Sequence, residues 1–393
     1  MDARKRQIYQ YIFSLILITG ILSTYPKAYM VNNVLILLFI LTSLFIKREE
    51  PFSFVAVSFS TVAAIAFFSQ FYIFGFESIS VNGKYWTLVL IALLLLATNK
   101  IDKVLTFEDL VLLNVAILPV LFLMGGFDTT WQGRITTEYL NPNIQGMAVF
   151  LGFMVSLINI IEKNKVLLSL VIFMSCTTFL VMSGSRQNMI FMLIGMSHVM
   201  LVVLFTRNYF RKNNLLKKII IVSASTVFGL VVCYYFLSLM LKRFGITSIA
   251  ELMAIISSGG VEYSAGERLS YIFASVSSIF HYPFGVGFGN VGFGIEQFGD
   301  PSFKIVNNAH SLFAEMIFSG GFIGYIIWIL LLSYISFLCL KKENIRKYGY
   351  MPLYLFSASF ISPLLSFKIF WVLLVVLEMQ LRKNTLIKRV ESS

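Results

Sequence analysis

Charge is the commodity this sequence holds least of. Only 13% of its 393 residues are Asp, Glu, Lys or Arg, against about a quarter in an ordinary soluble domain, and that shortage excludes a soluble globular fold. Cysteine is almost absent. Cys176, Cys233 and Cys339 all fall inside apolar runs, which excludes a disulfide framework and a thiolate metal site. No H-E-x-x-H, no Walker loop and no cluster of carboxylates occurs, so a metalloprotease and a nucleotide-driven pump are set aside. Without a paired-aspartate motif, metal-dependent glycosyl transfer is weakened as well. The glycines of "GVGFGN" at 285–290 have no strand–turn–helix around them and read as permitting tight turns. No internal repeat appears, and a secondary transporter would be expected to show one.

What the chain does have is apolar length. Hydrophobic residues make up 58% and aromatics 16%, with mean hydropathy +0.83. The apolar runs do not alternate as the strands of a membrane barrel would. They suit helices of roughly 17–25 residues. The expected architecture is an all-α polytopic membrane protein with about twelve spans. These lie near 8–24, 30–46, 53–75, 85–99, 107–125, 143–162, 165–183, 187–206, 218–240, 310–340, 350–365 and 367–381. The last two could instead form one broken helix, and the long span at 310–340 could be tilted. "MDARKRQIYQYIFSLILITG" begins like a signal peptide but offers no small-residue cleavage site, and is read as an uncleaved first helix.

The net charge of +12 then belongs to cytoplasmic loops rather than to a nucleic-acid surface. With the N-terminus inside, 22 of the 31 basic residues fall on the inner side and nine on the outer. Both termini are therefore expected in the cytoplasm. The whole chain 1–393 reads as one integral membrane domain. Its largest non-membrane piece, 241–309, is a big extracytoplasmic loop with glycine-rich turns and an amphipathic stretch at 268–281.

The outer residues that break the basic-inside pattern carry the chemical interest. Arg186, in "MSGSRQNMIF", occupies a very short turn between two spans; it either snorkels or caps a helix, or it contacts an anion. A guanidinium presents a planar fork that matches phosphate oxygens two at a time. Arg268, in "SAGERLSYIF", either pairs locally with Glu267 or Glu262, or is simply solvated, or contacts an anion; Arg134, in "WQGRITTEYLNPN", is another outer arginine, with a structural role the more favoured. Of the three histidines, His198 lies inside a span and reads as packed, while His281 precedes a proline–glycine turn and reads as ordering the loop. His310 stands at the outer mouth of the 310–340 helix, behind Asn307 and Asn308. With an ordinary pKa near 6.5 it is able to take a proton from a sugar hydroxyl at neutral pH; capping the helix is its alternative role. Ser311 and Glu315 share one face of that helix.

Four segments occur in order: "NPNIQGMAVFLGF" at 141–153, "SGSRQNMIF" at 183–191, "GERLSYIFASVSSIFHYPFGVGFGN" at 266–290 and "NNAHSLFAEMIFSGGFIGYIIWI" at 307–329. Together they resemble the O-antigen ligase and polysaccharide polymerase family of the Wzy/WaaL type, over roughly 141–330. The resemblance implies a GT-C-like membrane enzyme of the bacterial cell membrane, working on its outer face. It would move a glycan from undecaprenyl diphosphate onto a hydroxyl of an acceptor glycan, with inversion and without metal, nucleotide sugar or other cofactor. Arg186 and Arg268 would hold the diphosphate and His310 would activate the acceptor. Arg134, Asn143, Glu267, Asn308 and Glu315 would line the substrate, although a packing role for Glu315 is equally open. The expected partners are the lipid-linked donor and acceptor, membrane lipids, a flippase and a chain-length regulator, and no nucleic acid. A repeat-unit polymerase for capsule or O-antigen is the leading reading. A ligase to a terminal acceptor and a flippase of lipid-linked sugars are the alternatives.

Overall fold

The computed structural model describes residues 12, 13, 16, 26–44, 52–81, 83–98, 106–116, 142–162, 164–182, 186–205, 263–301, 309–361, 364, 365 and 367–392. Among these residues every regular element is a helix. In hydrocarbon no water satisfies an open N–H or C=O, so an apolar chain of this composition closes its backbone bonds within helices. The chain order is α1 Pro26–Leu44, α2 Phe54–Val81, α3 Gly83–Thr98, α4 Phe107–Ala116, α5 Pro142–Ile161, α6 Val166–Met182 and α7 Arg186–Phe205. It continues with α8 Tyr263–Ser278, α9 Val291–Phe298, α10 Leu312–Leu340, α11 Ile345–Tyr348, α12 Met351–Ile361 and α13 Lys368–Ser392.

Two described helices are long and apolar enough to cross a membrane, Phe54–Gly75 within α2 and Leu312–Leu340. Shorter apolar helices fall within the spans expected around 30–46, 85–99, 143–162, 165–183 and 187–206. The span expected at 218–240 lies outside the described residues, and that at 8–24 is described only at 12, 13 and 16. The stretch 350–381 forms two helices rather than one broken one. α12 runs toward His310, where the Ser359 carbonyl accepts from Ser311 Oγ at 2.9 Å. α13 runs back the other way, and Trp371 Nε1 donates to the carbonyls of Leu364 and Leu365 at the reversal, at 3.1 and 3.2 Å.

Helices α2 and α10 form the centre, side by side and antiparallel. Phe54 meets Tyr334 edge-on at 5.0 Å near one end. Buried aromatic side chains fill the core around the pair. Phe59, Trp371 and Trp328 stack edge to face, and Phe150 packs with Phe191, Tyr350 and Tyr354. The end of the bundle away from His310 is fastened by α13. The fully buried Glu378 accepts from the N–H groups of Phe54 and Val55 at 2.9 and 3.0 Å and from Ser53 Oγ. It thereby caps the open donors at the start of α2, which a helix N-terminus cannot satisfy alone. Gln380 does a similar service for α4, accepting from Phe107 N at 2.7 Å and donating to Glu108 at 2.9 Å.

Helix α10 is long but not straight. At Gly321 the backbone leaves the helix, with φ 57 and ψ −141, and chain from the α8–α9 connection enters the gap. Val286 N donates to Phe318 O at 2.7 Å, and Phe322 N donates to Pro283 O at 2.9 Å. Both partners of this joint must be glycine. A Cβ on Gly321 would stand 2.0 Å from Pro283 O, and one on Gly285 2.6 Å from Phe318 O. Each also has a positive φ that L side chains avoid. Ser69 of α2 donates to Phe284 O at 2.7 Å, and Asn290 bonds Gln70. The sequence suggested a loop of glycine turns here. In the structure those turns are wedged between the two central helices.

Candidate functional site

The site grows from the start of α10. Ser311 is its N-cap, its Oγ accepting from Ala314 N at 3.3 Å as short hydroxyl side chains do at helix starts. Ser311 and Ala309 are both fully buried, so the chain on either side of His310 is held. His310 itself takes a left-handed conformation, with φ 49. Histidine visits that region more readily than most residues, though at some strain. The fixed backbone thus sets the direction of a half-buried imidazole at the helix mouth.

Helix α8 brings charge to that imidazole. Burial is the main force holding His310 below its ordinary pKa of 6.5; the positive Arg268 lowers it further, and Glu267 pulls upward. The three residues therefore share one electrostatic environment, and the imidazole stays neutral and basic at neutral pH. Glu267 is positioned in turn by the buried Tyr271, whose hydroxyl donates to Oε1 at 2.8 Å. Tyr271 was not among the residues the sequence singled out. Its i, i+4 spacing from Glu267 on an amphipathic helix was the available signal.

Arg186 is the first residue of α7, and helix direction places it at the same end. Phe191 packs on Tyr354 at 5.0 Å, and from there α12 leads on to Ser359 beside Ser311. Arg186 lies five residues past Phe191 in that direction, about 7–8 Å along the axis. Asn143, in the first turn of α5, follows the same logic, since Met147 O accepts from Tyr354 Oη at 3.4 Å. Arg134 and Asn308 lie outside the described residues.

Glu315 has a structural partner. It is buried, and its Oε2 accepts from Leu365 N at 3.2 Å, tying α10 to the α12–α13 reversal. Of its two readings, this geometry matches packing. His198 is packed as expected, its Nε2 3.1 Å from Arg346 O and its ring against Tyr350. His281 is exposed, with its ring 5.0 Å from that of Phe298. Cys176 and Cys339 are buried free thiols.

Chemically, the assembly offers an imidazole whose proton affinity is lowered chiefly by burial, then by Arg268, and raised by Glu267, at the same end as the helix that opens with Arg186. Comparison with known proteins fits it. Residues 169–329 match the family model Wzy_C, described as O-antigen ligase. The match takes in three of the four segments that carried the resemblance, together with Arg186, Glu267, Arg268, His310 and Glu315; the segment at 141–153 lies before it. No curated protein and no solved structure matches the chain.

Proposed function

With an O-antigen ligase domain at residues 169–329 as the premise, we propose that the chain is a membrane glycosyltransferase that polymerises undecaprenyl-diphosphate-linked repeat units. The product would be capsule or O-antigen polysaccharide, made on the outer face of the bacterial cell membrane. The observation that carries this reading is the neutral His310 at the mouth of α10, with Arg268 and Glu267 acting on it.

His310 accepts the proton of an acceptor sugar hydroxyl. The hydroxyl oxygen attacks the anomeric carbon of the donor from the face opposite the diphosphate. The bond between that carbon and the diphosphate oxygen breaks, the electron pair leaves with the diphosphate, and the configuration inverts. Arg268 and Arg186 stabilise the charge that develops on the leaving group, as fixed guanidinium groups are suited to do. Glu267, held by Tyr271, keeps the basicity of His310 in range. Removing a general base lowers rate by about 10²–10⁴-fold, so His310→Ala should cut polymer growth by that order while the protein stays in the membrane. Arg186→Ala and Arg268→Ala should do likewise, and full-length polysaccharide from all three variants would remove the assignment.

The family's description favours a second reading, a ligase that moves finished glycan to a terminal acceptor. The two share their chemistry and differ in acceptor. Deleting the gene separates them by what accumulates: single lipid-linked repeats for a polymerase, long unattached chains for a ligase. Repeats trapped on the cytoplasmic side would instead mean a flippase.

A further inference from the structure

We infer that residues 263–300 are not a water-exposed loop but a re-entrant helical hairpin, whose outward face contacts the hydrocarbon chains of the bilayer. Three observations carry this. The first is depth. α8 packs beside the start of α10, since Tyr271 and Ala274 share a buried cluster with Ala309, Ala314 and Phe318, and its connection to α9 is bonded to Phe318 and Phe322 of α10. Those bonds lie six and ten residues beyond Leu312, the first residue of the helix, about 9 and 15 Å along its axis, where the hydrocarbon core is ~30 Å thick. The return is equally defined. Asp300 N, just beyond α9, donates to Ser270 Oγ at 3.0 Å, so the chain comes back to the level where it entered.

The second observation is the face α8 turns outward. Tyr271 and Ala274 are buried in a cluster with residues of α9 and α10, and Ser275 and Ser278 are buried as well. On the other side Leu269, Phe273, Val276, Phe280 and Phe284 are exposed, Phe273 at 67% and Phe280 at 83%. They form one stripe at helical spacing that goes on into the turn. An amphipathic helix in water would show polar residues there. The third is continuity. Only a third of the most apolar stretch of α10 is buried inside the protein, and its exposed apolar residues, Phe322, Ile326, Ile329 and Leu330 among them, face outward as those of a membrane-crossing helix do. Next to the tip, Phe68 and the 90% exposed Tyr72 of α2 extend the same surface. Between them and Pro283–Phe284 lies an open groove of about 560 Å³ with largely apolar walls, to which Ser69, Tyr72, His281 and Tyr282 bring the polar side chains.

Non-helical backbone at such depth is tolerated where protein satisfies it. Here the Pro283–Val286 segment bonds to α10 and α2. On the proposed function, a donor lipid could keep its tail in the bilayer while its diphosphate reaches Arg268 at the top of the hairpin; the insertion itself does not depend on that activity.

The test is spin-label accessibility in the full-length protein reconstituted into liposomes, with a nitroxide on cysteine at Leu269→Cys, Phe273→Cys or Phe280→Cys. These side chains point outward, so the substitutions leave the packing intact. Collisions with oxygen, which concentrates in lipid, should rise from 269 through 273 to 280. Collisions with a water-soluble nickel chelate should fall in the same order. Nickel access at 273 and 280 equal to that at 269 would mean a loop in water, and low access to both reagents would mean a face covered by protein. Either result overturns the inference, whatever the enzyme's activity.

Discussion

At the scale of single residues, the informative quantity is the proton affinity of His310. As the proposed base it must be neutral, so activity should rise with pH through an acid limb lying below its ordinary value of 6.5, because burial and Arg268 both lower it. The charges around it fix the direction of two shifts. Glu267→Gln removes the group that favours the imidazolium, so the limb should move to lower pH. Arg268→Gln removes a group that disfavours it, so the limb of the residual activity should move to higher pH. Polymer growth measured across pH 4–8 checks both, and an unmoved limb in Glu267→Gln would mean another group titrates. Scarcity made His310 legible in the sequence, as did its place beside a long apolar run. Tyr271 was not legible, because nothing local distinguishes a tyrosine that holds a carboxylate from one that packs. Glu315 shows what a sequence does not reveal: a carboxylate at a helix mouth invites a role in binding, and one of its partners in the structure is the backbone of Leu365, 50 residues away.

At the scale of elements, the joint between α10 and the hairpin carries the most consequence. Gly321→Ala would drive a methyl group into Pro283 O and force a left-handed alanine. Backbone strain of that kind costs about 1–3 kcal/mol before the clash is counted. The variant should lose activity through displacement of α8, and protease should cut between α8 and α9 faster than in the parent. Gly320→Ala is the control, since a Cβ there meets only Val62 Cγ1 at 3.5 Å, and it should leave both properties nearly unchanged. The apolar run 312–340 gave its helix away by composition alone. The break within it was hidden, because "SGGF" in a membrane helix reads as ordinary close packing. What decides between the two is Pro283, 38 residues earlier, and no local pattern contains it.

For the whole molecule, an all-helical apolar bundle followed directly from the lack of charge, whereas the way it closes did not. Glu378 sits at the end of an apolar run, where a carboxylate normally marks a helix leaving the membrane. Instead it is fully buried and joins α13 to α2, with Arg382 and Tyr334 beside it at 3.5 and 3.4 Å. Glu378→Ala would remove the acceptor of Phe54 N and Val55 N and leave Arg382 without this carboxylate. Each buried donor left unsatisfied costs about 1–3 kcal/mol. A marked fall in the unfolding temperature of detergent-solubilised protein should follow, with a smaller one for Glu378→Gln, which keeps an acceptor oxygen.

The same contact has a consequence in time. Glu378 follows Phe54 by 324 residues, and at about 5–20 residues per second the ribosome needs roughly 15–65 s to travel between them. For that interval α2 exists without its cap. A chain released early by a stop codon never acquires it, so truncations that spare every proposed catalytic residue should still be cleared by membrane proteases.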